Sequence, residues 1–400
     1  MAYELTEWQQ ELVLRTRDYA SRVVRPAAGR LESLRAAEDF PFDLMREGMD
    51  LGLKSLPLPV ELGGADADML TQCLVAEELA AGDLSVAYFF RHYWRFARLI
   101  PRLPTAIRDL VVDGIANDER FVPASASTEA DAGSDNAFPY DAPGHGAMLS
   151  ARQEGDVWRL NGTKTMITNA GIASLYFVLA RTDSTVGIRS GATMIAVPAT
   201  TPGLSVGPLY SKMGQRGSPQ ADVILDDCRV PLDYAITAPG AGYEVSERGL
   251  VAANITNAAM CVGVAREAYD LALDWSTKRV QGGKPICEHQ LVAHDLGRMR
   301  MLVQAARDHL HAVAYEYSHT PSFSPERCWE VRVFSSDVAI EVTQKAMLLF
   351  GGRGMMTPFT VERLVRDALT LTHGNGTNPL MTMRLGSSQA RAWAQRTETA

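Results

Sequence analysis

His373 and Asn375 stand two residues apart in the stretch Thr372-His373-Gly374-Asn375-Gly376-Thr377-Asn378, and they differ in what they can do chemically. An imidazole with its ordinary pKa near ~6.5 can take a proton at neutral pH, whereas a carboxamide is no Brønsted base. A histidine in a loop after a helix is also a common C-terminal cap. A second set offers hydrogen bonds: the hydroxyls of Ser125, Ser127, Thr128, Ser134 and Thr168, with Gly133 freeing nearby backbone amides. Ser134-Asp135 equally has the form of a helix cap or turn. Arg91 lies in the bulky run Tyr88-Phe89-Phe90-Arg91-His92-Tyr93-Trp94-Arg95, where aromatic side chains would narrow a cavity and a guanidinium could meet an acidic or polar group. Read plainly, the same run is core packing with solvated arginines. Cys73, Cys228, Cys261, Cys287 and Cys328 are scattered without a C-x-x-C pair. No metal site and no disulfide framework is expected, only reduced and mostly buried thiols.

The elements that must position these residues change character twice along the chain. Thr6-Glu7-Trp8-Gln9 has capping-box spacing ahead of apolar Leu12, Val13, Tyr19, Val23 and Val24, and Pro26 closes that helix. A second helix opens at Pro41 and stops at Gly52; a third runs from about Asp68 to Gly82. From about residue 120 short runs rich in strand formers take over: Trp158 to Asn161 leading into a Gly162 turn, Leu175 to Ala180, Met194 to Pro198, and Ala221 to Leu225. After Gly240-Ala241-Gly242 the helical period returns, over Ile255 to Lys278, Gln290 to Ser318, Pro325 to Phe350, and Thr360 to Thr372. Long helices joined by short polar loops predict an antiparallel bundle. The boundaries expected are an α-helical unit over 1–119, a β unit over 120–235 and a helical bundle over 236–400.

Four hundred residues, 46% apolar and 22% charged, describe a globular chain with a large interior. A formal charge of −8 with both signs interspersed argues against a sequence-independent grip on nucleic-acid phosphates. Met1-Ala2-Tyr3-Glu4-Leu5 has no basic region followed by an apolar core, and no apolar run is long enough to span a bilayer. A cytoplasmic protein with no membrane partner is expected.

Several ordered motifs resemble the acyl-CoA dehydrogenase family. Thr128-Glu129-Ala130-Asp131-Ala132-Gly133-Ser134-Asp135 is similar to the family's T-E-P-x-A-G-S-D, with Ala130 in place of proline. Leu160-Asn161-Gly162-Thr163-Lys164-Thr165-Met166-Ile167-Thr168-Asn169 resembles L-N-G-x-K-x-W-I-T-N, with Met166 in place of tryptophan. Met213 to Ser218, Val230-Pro231, Glu288-His289-Gln290, Phe350-Gly351-Gly352 and Val361 to Ala368 follow in the family's order. The resemblance implies a multidomain α+β protein: an N-terminal helical domain, a central β-barrel and a C-terminal four-helix bundle. It also implies FAD between the β unit and the bundle, reaching into a neighbouring subunit of a homo-oligomer, a homotetramer or dimer. The implied cofactor contacts are Ser125, Ser127, Thr128, Gly133, Ser134, Met166, Thr168, Arg279, Gln290, Gly351, Gly352 and Thr377. Glu129 and Asp131 belong to a motif that is structural in the family. Arg279 is placed like a family arginine that meets the pyrophosphate of the adjacent protomer's cofactor; beside Lys278 it also reads as a solvated basic helix end. Gly351-Gly352 reads equally as an ordinary helix stop. Ser134, Arg91 and Asn254 fall where a substrate would lie.

The resemblance breaks at the catalytic base. A glutamate just before G-T takes the α-proton in most of the family, and here that place is Asn375. The alternative family position, on the first long bundle helix, corresponds to Ala253, and the neighbouring family arginine to Asn254. Leu348 and Gly282 replace a glutamine and a phenylalanine expected near the cofactor. His373 is the substitute base within reach in sequence. Three functions are compatible with this pattern: an FAD-dependent α,β-dehydrogenation of an acyl thioester or a related oxidation; a flavin monooxygenase on the same fold; and a non-catalytic partner subunit of a hetero-oligomeric dehydrogenase. The electron acceptor would be an electron-transfer flavoprotein or oxygen.

Overall fold

A computed structural model describes residues 4–137 and 141–398; Met1, Ala2 and Tyr3 of the N-terminal reading lie outside the described residues. The chain opens with α1 (Glu7–Tyr19), capped by the reciprocal Thr6–Gln9 pair that the spacing predicts. It passes through a π turn and a 3-10 turn carrying Pro26 into α2 (Ala28–Glu32) and α3 (Phe42–Asp50). Asp68 caps α4 (Met69–Gly82), which is buried along its whole length. Asp83 then ends α4 and caps α5 (Leu84–Ala97) through Ser85 N (2.8 Å). The run around Arg91 is thus a helix, followed by α6 (Thr105–Asn117).

The middle of the chain is one seven-stranded sheet: β1 (Pro123–Ala126), β2 (Ser150–Glu154), β3 (Val157–Thr168), β4 (Leu175–Arg181), β5 (Ala192–Pro198), β6 (Leu204–Val206) and β7 (Gln220–Pro231), with the short α7 (Ile188–Gly191) before β5. Its order is β1-β4-β2-β3-β7-β6, with β5 paired to β4. β4 has three partners, β1, β2 and β5, and the sheet is curled. The expected turn at Gly162 is corrected: β3 runs through it, with a shift of register between Leu160 and Gly162. A glycine inside a strand marks a bulge as readily as a turn. β4 is buried on both faces. Leu175 and Phe177 join the helical core, while Tyr176, Val178 and Ala180 join the sheet's own core. Phe177 stacks on Phe96 of α5, centroids 4.4 Å apart, which fixes α5 against the sheet.

The last third holds α8 (Gly242–Lys278), a small hairpin of β8 (Val280–Gln281) and β9 (Lys284–Pro285), α9 (Gln290–His319), α10 (Glu326–Leu349), α11 (Val361–Thr370) and α12 (Asn378–Glu398). α8 begins well before the predicted Ile255. α4 of the N-terminal unit crosses α8 at Gly263, where an added Cβ would lie 2.3 Å from the carbonyl oxygen of Glu77, so only glycine allows this approach. Buried Glu77 then accepts from Arg266 of α8 (2.5 Å) and Arg307 of α9 (3.1 Å), joining three helices. No helix among the described residues is long and apolar enough to cross a membrane, and no group of His, Cys, Asp or Glu could hold a metal ion. All five cysteines are free.

Candidate active site

A cavity of about 1020 Å³ opens where the sheet, α5, the start of α8 and the loop before α12 meet. β1 and the turn after it supply Ser125, Ser127, Thr128, Gly133 and Ser134, and the end of β3 supplies Met166 and Thr168. Glu129 holds that turn. Its carboxylate accepts from the backbone amides of Met148 and Leu149 (both 2.8 Å) and from the buried Lys164 Nζ (2.6 Å). Burial lowers the Lys164 ammonium to about 8 despite this partner. The structure therefore uses Glu129 as a clamp. Met166 sits in the register shift between Lys164 and Ile167 with φ +56°, its side chain exposed at the cavity.

The loop from α11 to α12 contributes His373, Asn375 and Thr377. Arg332 of α10, fully buried, pins it by donating to Asn378 Oδ1 (2.6 Å) and to the Gly374 carbonyl (2.8 Å). Asn257 links this anchor to α5: oriented to satisfy its neighbours, its amide oxygen accepts from Arg332 and its nitrogen donates to Tyr88 Oη (3.3 Å). Asn375 and Gly376 take φ +61° and +101°, the left-handed region that asparagine and glycine tolerate. His373 is exposed, with Nδ1 2.8 Å from Thr372 Oγ1.

α5 presents Tyr88, Arg91, His92 and Arg95 to the cavity, and α8 presents Asn254 together with Glu244, Glu247 and Arg248. His92 keeps Nδ1 at 2.7 Å from the Tyr88 carbonyl; burial, and then the Arg91 charge, push it down to about 3, so it is neutral at physiological pH. Of the predicted positions, Arg279, Gln290, Gly351 and Gly352 are not brought to this cavity. They lie at the other end of the bundle, where Trp275 stacks on Phe350 (centroids 4.7 Å) beneath the Arg353 guanidinium.

Among the described residues, five of the eight buried side-chain polar atoms without a partner belong to residues lining this one cavity: Arg91 Nε and Nη1, Ser127 Oγ, Asn254 Oδ1 and Asn375 Nδ2. Buried polar atoms are normally satisfied, so such a concentration asks for a polar ligand. Tyr88 and Arg95 belong to the bulky run expected to narrow a cavity, and both line this one. Glu247 and Arg384 are cavity residues that sequence reasoning missed; their pairing carried no signal, because it joins positions far apart in the chain.

Three family models match the chain end to end: the acyl-CoA dehydrogenase N-terminal domain over residues 6–102, the middle domain over 124–228 and the C-terminal domain over 240–389. A probable acyl-CoA dehydrogenase of Bacillus subtilis is 30% identical over 95% of this chain and 97% of its own. The chain belongs to the acyl-CoA dehydrogenase family. The human mitochondrial short-chain specific acyl-CoA dehydrogenase is 29% identical over 98% of this chain and 92% of its own. The butyryl-CoA dehydrogenase structure from Megasphaera elsdenii superposes with a TM-score of 0.88, 28% identity, and coverage of 98% and 100%. Membership of the acyl-CoA dehydrogenase family makes the protein an oxidoreductase, and it implies a flavin. The cavity fits such a group: its hydroxyl-bearing wall includes an unpartnered Ser127 Oγ, and no atom lies within 4 Å of where a Cβ on Gly133 would stand.

Proposed function

We propose that the protein binds FAD in this cavity and uses it to oxidise an acyl thioester between its α and β carbons. The observation that carries the reading is the gathering of unpartnered polar atoms from β1, α5, α8 and the loop before α12 around one space large enough for a cofactor and a substrate together. Bound flavin would supply the hydride acceptor. Ser125, Ser127, Thr128, Ser134 and Thr168 hold its polar edges, Met166 lies against it, and the loop at Asn375 and Thr377 holds the substrate beside it.

The chain departs from its family in how the α-proton leaves. Asn375 and Asn254 donate and accept hydrogen bonds but cannot take a proton. Glu244 and Glu247, the acidic residues on the wall, are engaged by Arg248 and Arg384. His92 is too weak a base. His373 is the remaining imidazole on the wall, and it is the group to which we assign the proton. Electrons then pass to an electron-transfer flavoprotein or to oxygen, and Arg279 and the Gly351–Gly352 turn serve the cofactor of a neighbouring copy.

Denaturing the purified protein should release about one FAD per chain, and anaerobic addition of a suitable acyl-CoA should bleach the flavin. Release of FMN or of no flavin overturns the cofactor. An FAD-loaded protein that no thioester bleaches, yet that turns over with oxygen and an external reductase, is the monooxygenase instead.

A further inference from the structure

Tyr88 reaches from α5 to the loop that carries His373 and Asn375: a Cβ on Gly374 would lie 3.2 Å from its hydroxyl oxygen. The residue lines the cavity and is only 6% exposed. Its hydrogen bonding is set by the buried Arg332. Because the Arg332 guanidinium donates to the Asn257 amide oxygen, the Asn257 amide nitrogen is left to donate to Tyr88 Oη (3.3 Å). The Tyr88 oxygen is therefore an acceptor toward Asn257, its hydrogen-bond partner among the described residues. The hydrogen of its own O–H is left for whatever occupies the cavity.

In the adjoining loop, Asn375 Nδ2 is a second buried donor with no acceptor among the described residues. Arg91 lies over the Tyr88 ring, its guanidinium carbon 4.8 Å from the centroid. A cation there favours negative charge moving onto the phenol oxygen, which makes the O–H a stronger donor. Burial raises the Tyr88 hydroxyl above the ordinary phenol range by more than the Arg91 and Arg332 charges lower it, so the group stays protonated and donates. Two such donors call for an acceptor supplied by the ligand. The oxygen that every acyl thioester carries next to its α-carbon is the thioester carbonyl.

We infer that Tyr88 is a catalytic residue: its O–H, together with Asn375 Nδ2, donates to the thioester carbonyl oxygen and stabilises the negative charge that gathers there. This rests on the reading of the cavity as an acyl-thioester site. When the α-proton passes to His373, the electron pair of that C–H bond spreads onto the carbonyl oxygen. The pair returns to form the α,β double bond as the β-hydrogen leaves as hydride for the flavin. An imidazole is a modest base for an α-proton, so stabilising the enolate is where this chain lowers the barrier. A carboxamide at residue 375 suits the arrangement, since it offers a donor and carries no charge.

The test reads the acidity of the α-proton at equilibrium, which the identity of the base does not change. 3-Thiahexanoyl-CoA has sulfur in place of the β-carbon and cannot be dehydrogenated. Bound to the FAD-loaded protein, it loses its α-proton as pH rises, and the enolate beside oxidised flavin gives a long-wavelength charge-transfer band. In Tyr88→Phe the pH at which that band appears should rise by about 1–2 units, the counterpart of a 10- to 100-fold loss of enolate stabilisation. Anaerobic bleaching by hexanoyl-CoA should slow about 10²-fold, with FAD content and the pH midpoint of bleaching unchanged. Tyr88→3-fluorotyrosine, a more acidic phenol of nearly the same shape, should move the band to lower pH. A band at the wild-type pH in Tyr88→Phe overturns the inference and leaves the dehydrogenase reading standing. So does a Tyr88→Phe protein that fails to fold or to hold FAD while the 3-fluorotyrosine protein keeps the wild-type band. Loss of the pH midpoint of bleaching in Tyr88→Phe also overturns it, because the tyrosine is then the base. The expected band shifts without bleaching of wild type by any thioester keep the inference and remove the dehydrogenation, and no binding of any thioester removes both.

Discussion

Asn375 takes φ +61° in a loop anchored by Arg332, and its amide nitrogen is buried without a partner. Asparagine is one of the few residues at ease there; glutamate would give up about 1 kcal/mol of stability to the left-handed backbone. A carboxylate at residue 375, flanked by Gly376 and Thr377, would nonetheless line the cavity at the place where the motif resemblance implies a base. One well-placed general base contributes about 10²–10⁴-fold. Asn375→Glu should therefore raise the rate of anaerobic flavin bleaching by an acyl-CoA well above wild type. If the variant keeps its FAD and no thioester bleaches it, while wild type oxidises a substrate through oxygen, dehydrogenation is the wrong reaction. The motif residues of this site were legible in the sequence because they lie in short contiguous runs, Ser125 to Ser134, Met166 to Thr168 and His373 to Thr377. Arg332 and Arg384 were not, since their roles arise only when α10 and α12 pack beside α8 and the loop.

At the scale of elements, α5 and α11 are joined through a buried acidic cluster. Asp83 caps α5 and pairs with Arg363 of α11 (2.6 Å), while Asp367 of the same helix accepts from Gln215 N (2.6 Å) on the loop that lines the cavity. Burial, and then the nearby Asp83 charge, raise Asp367 to about 7, more than Arg363 can offset. The unfolded carboxyl would release its proton near ~3.9. Between these values the folded state binds more protons, so this group favours folding most fully below about pH 4, and that contribution is lost as pH rises through 7. Urea midpoints for wild type should fall from pH 5 to pH 8, and Asp367→Asn should flatten that fall; an equal fall in both proteins would exclude Asp367 as its source. Helix ends at Thr6, Asp68 and Gly82 were readable because capping is local chemistry. The first turns of α8 escaped, because Glu244, Glu247 and Arg248 face a polar cavity and break the apolar period on which the reading depends.

For the whole molecule, the question is what the far end of the bundle is for. α8 runs about 37 Å from Asn254 to Arg279 at ~1.5 Å per residue, too far for Arg279 to serve the cavity of its own chain. The antiparallel packing of α9 and α10, held there by Arg298–Glu341 (2.6 Å) and Lys345–Asp295 (3.4 Å), brings Gln290 and the Gly351–Gly352 turn to the same end. Around them Val280, Leu291, Leu348, Met355 and Met356 turn apolar side chains outward, Leu291 and Leu348 at 74% and 67% exposure. A patch of this kind on a lone chain is a liability; a contact between copies would cover it and, under the function proposed above, would carry Arg279 to a neighbour's cofactor. The protein is therefore expected to be a homodimer or homotetramer, and Leu348→Asp, which places a charge in that contact, should shift it toward monomer and lower its FAD content together. Light scattering behind a sizing column, with the flavin-to-protein absorbance ratio read on the same peak, measures both at once. A wild-type monomer that retains one FAD per chain would mean that Arg279 and the Gly351–Gly352 turn no longer serve a cofactor in this protein.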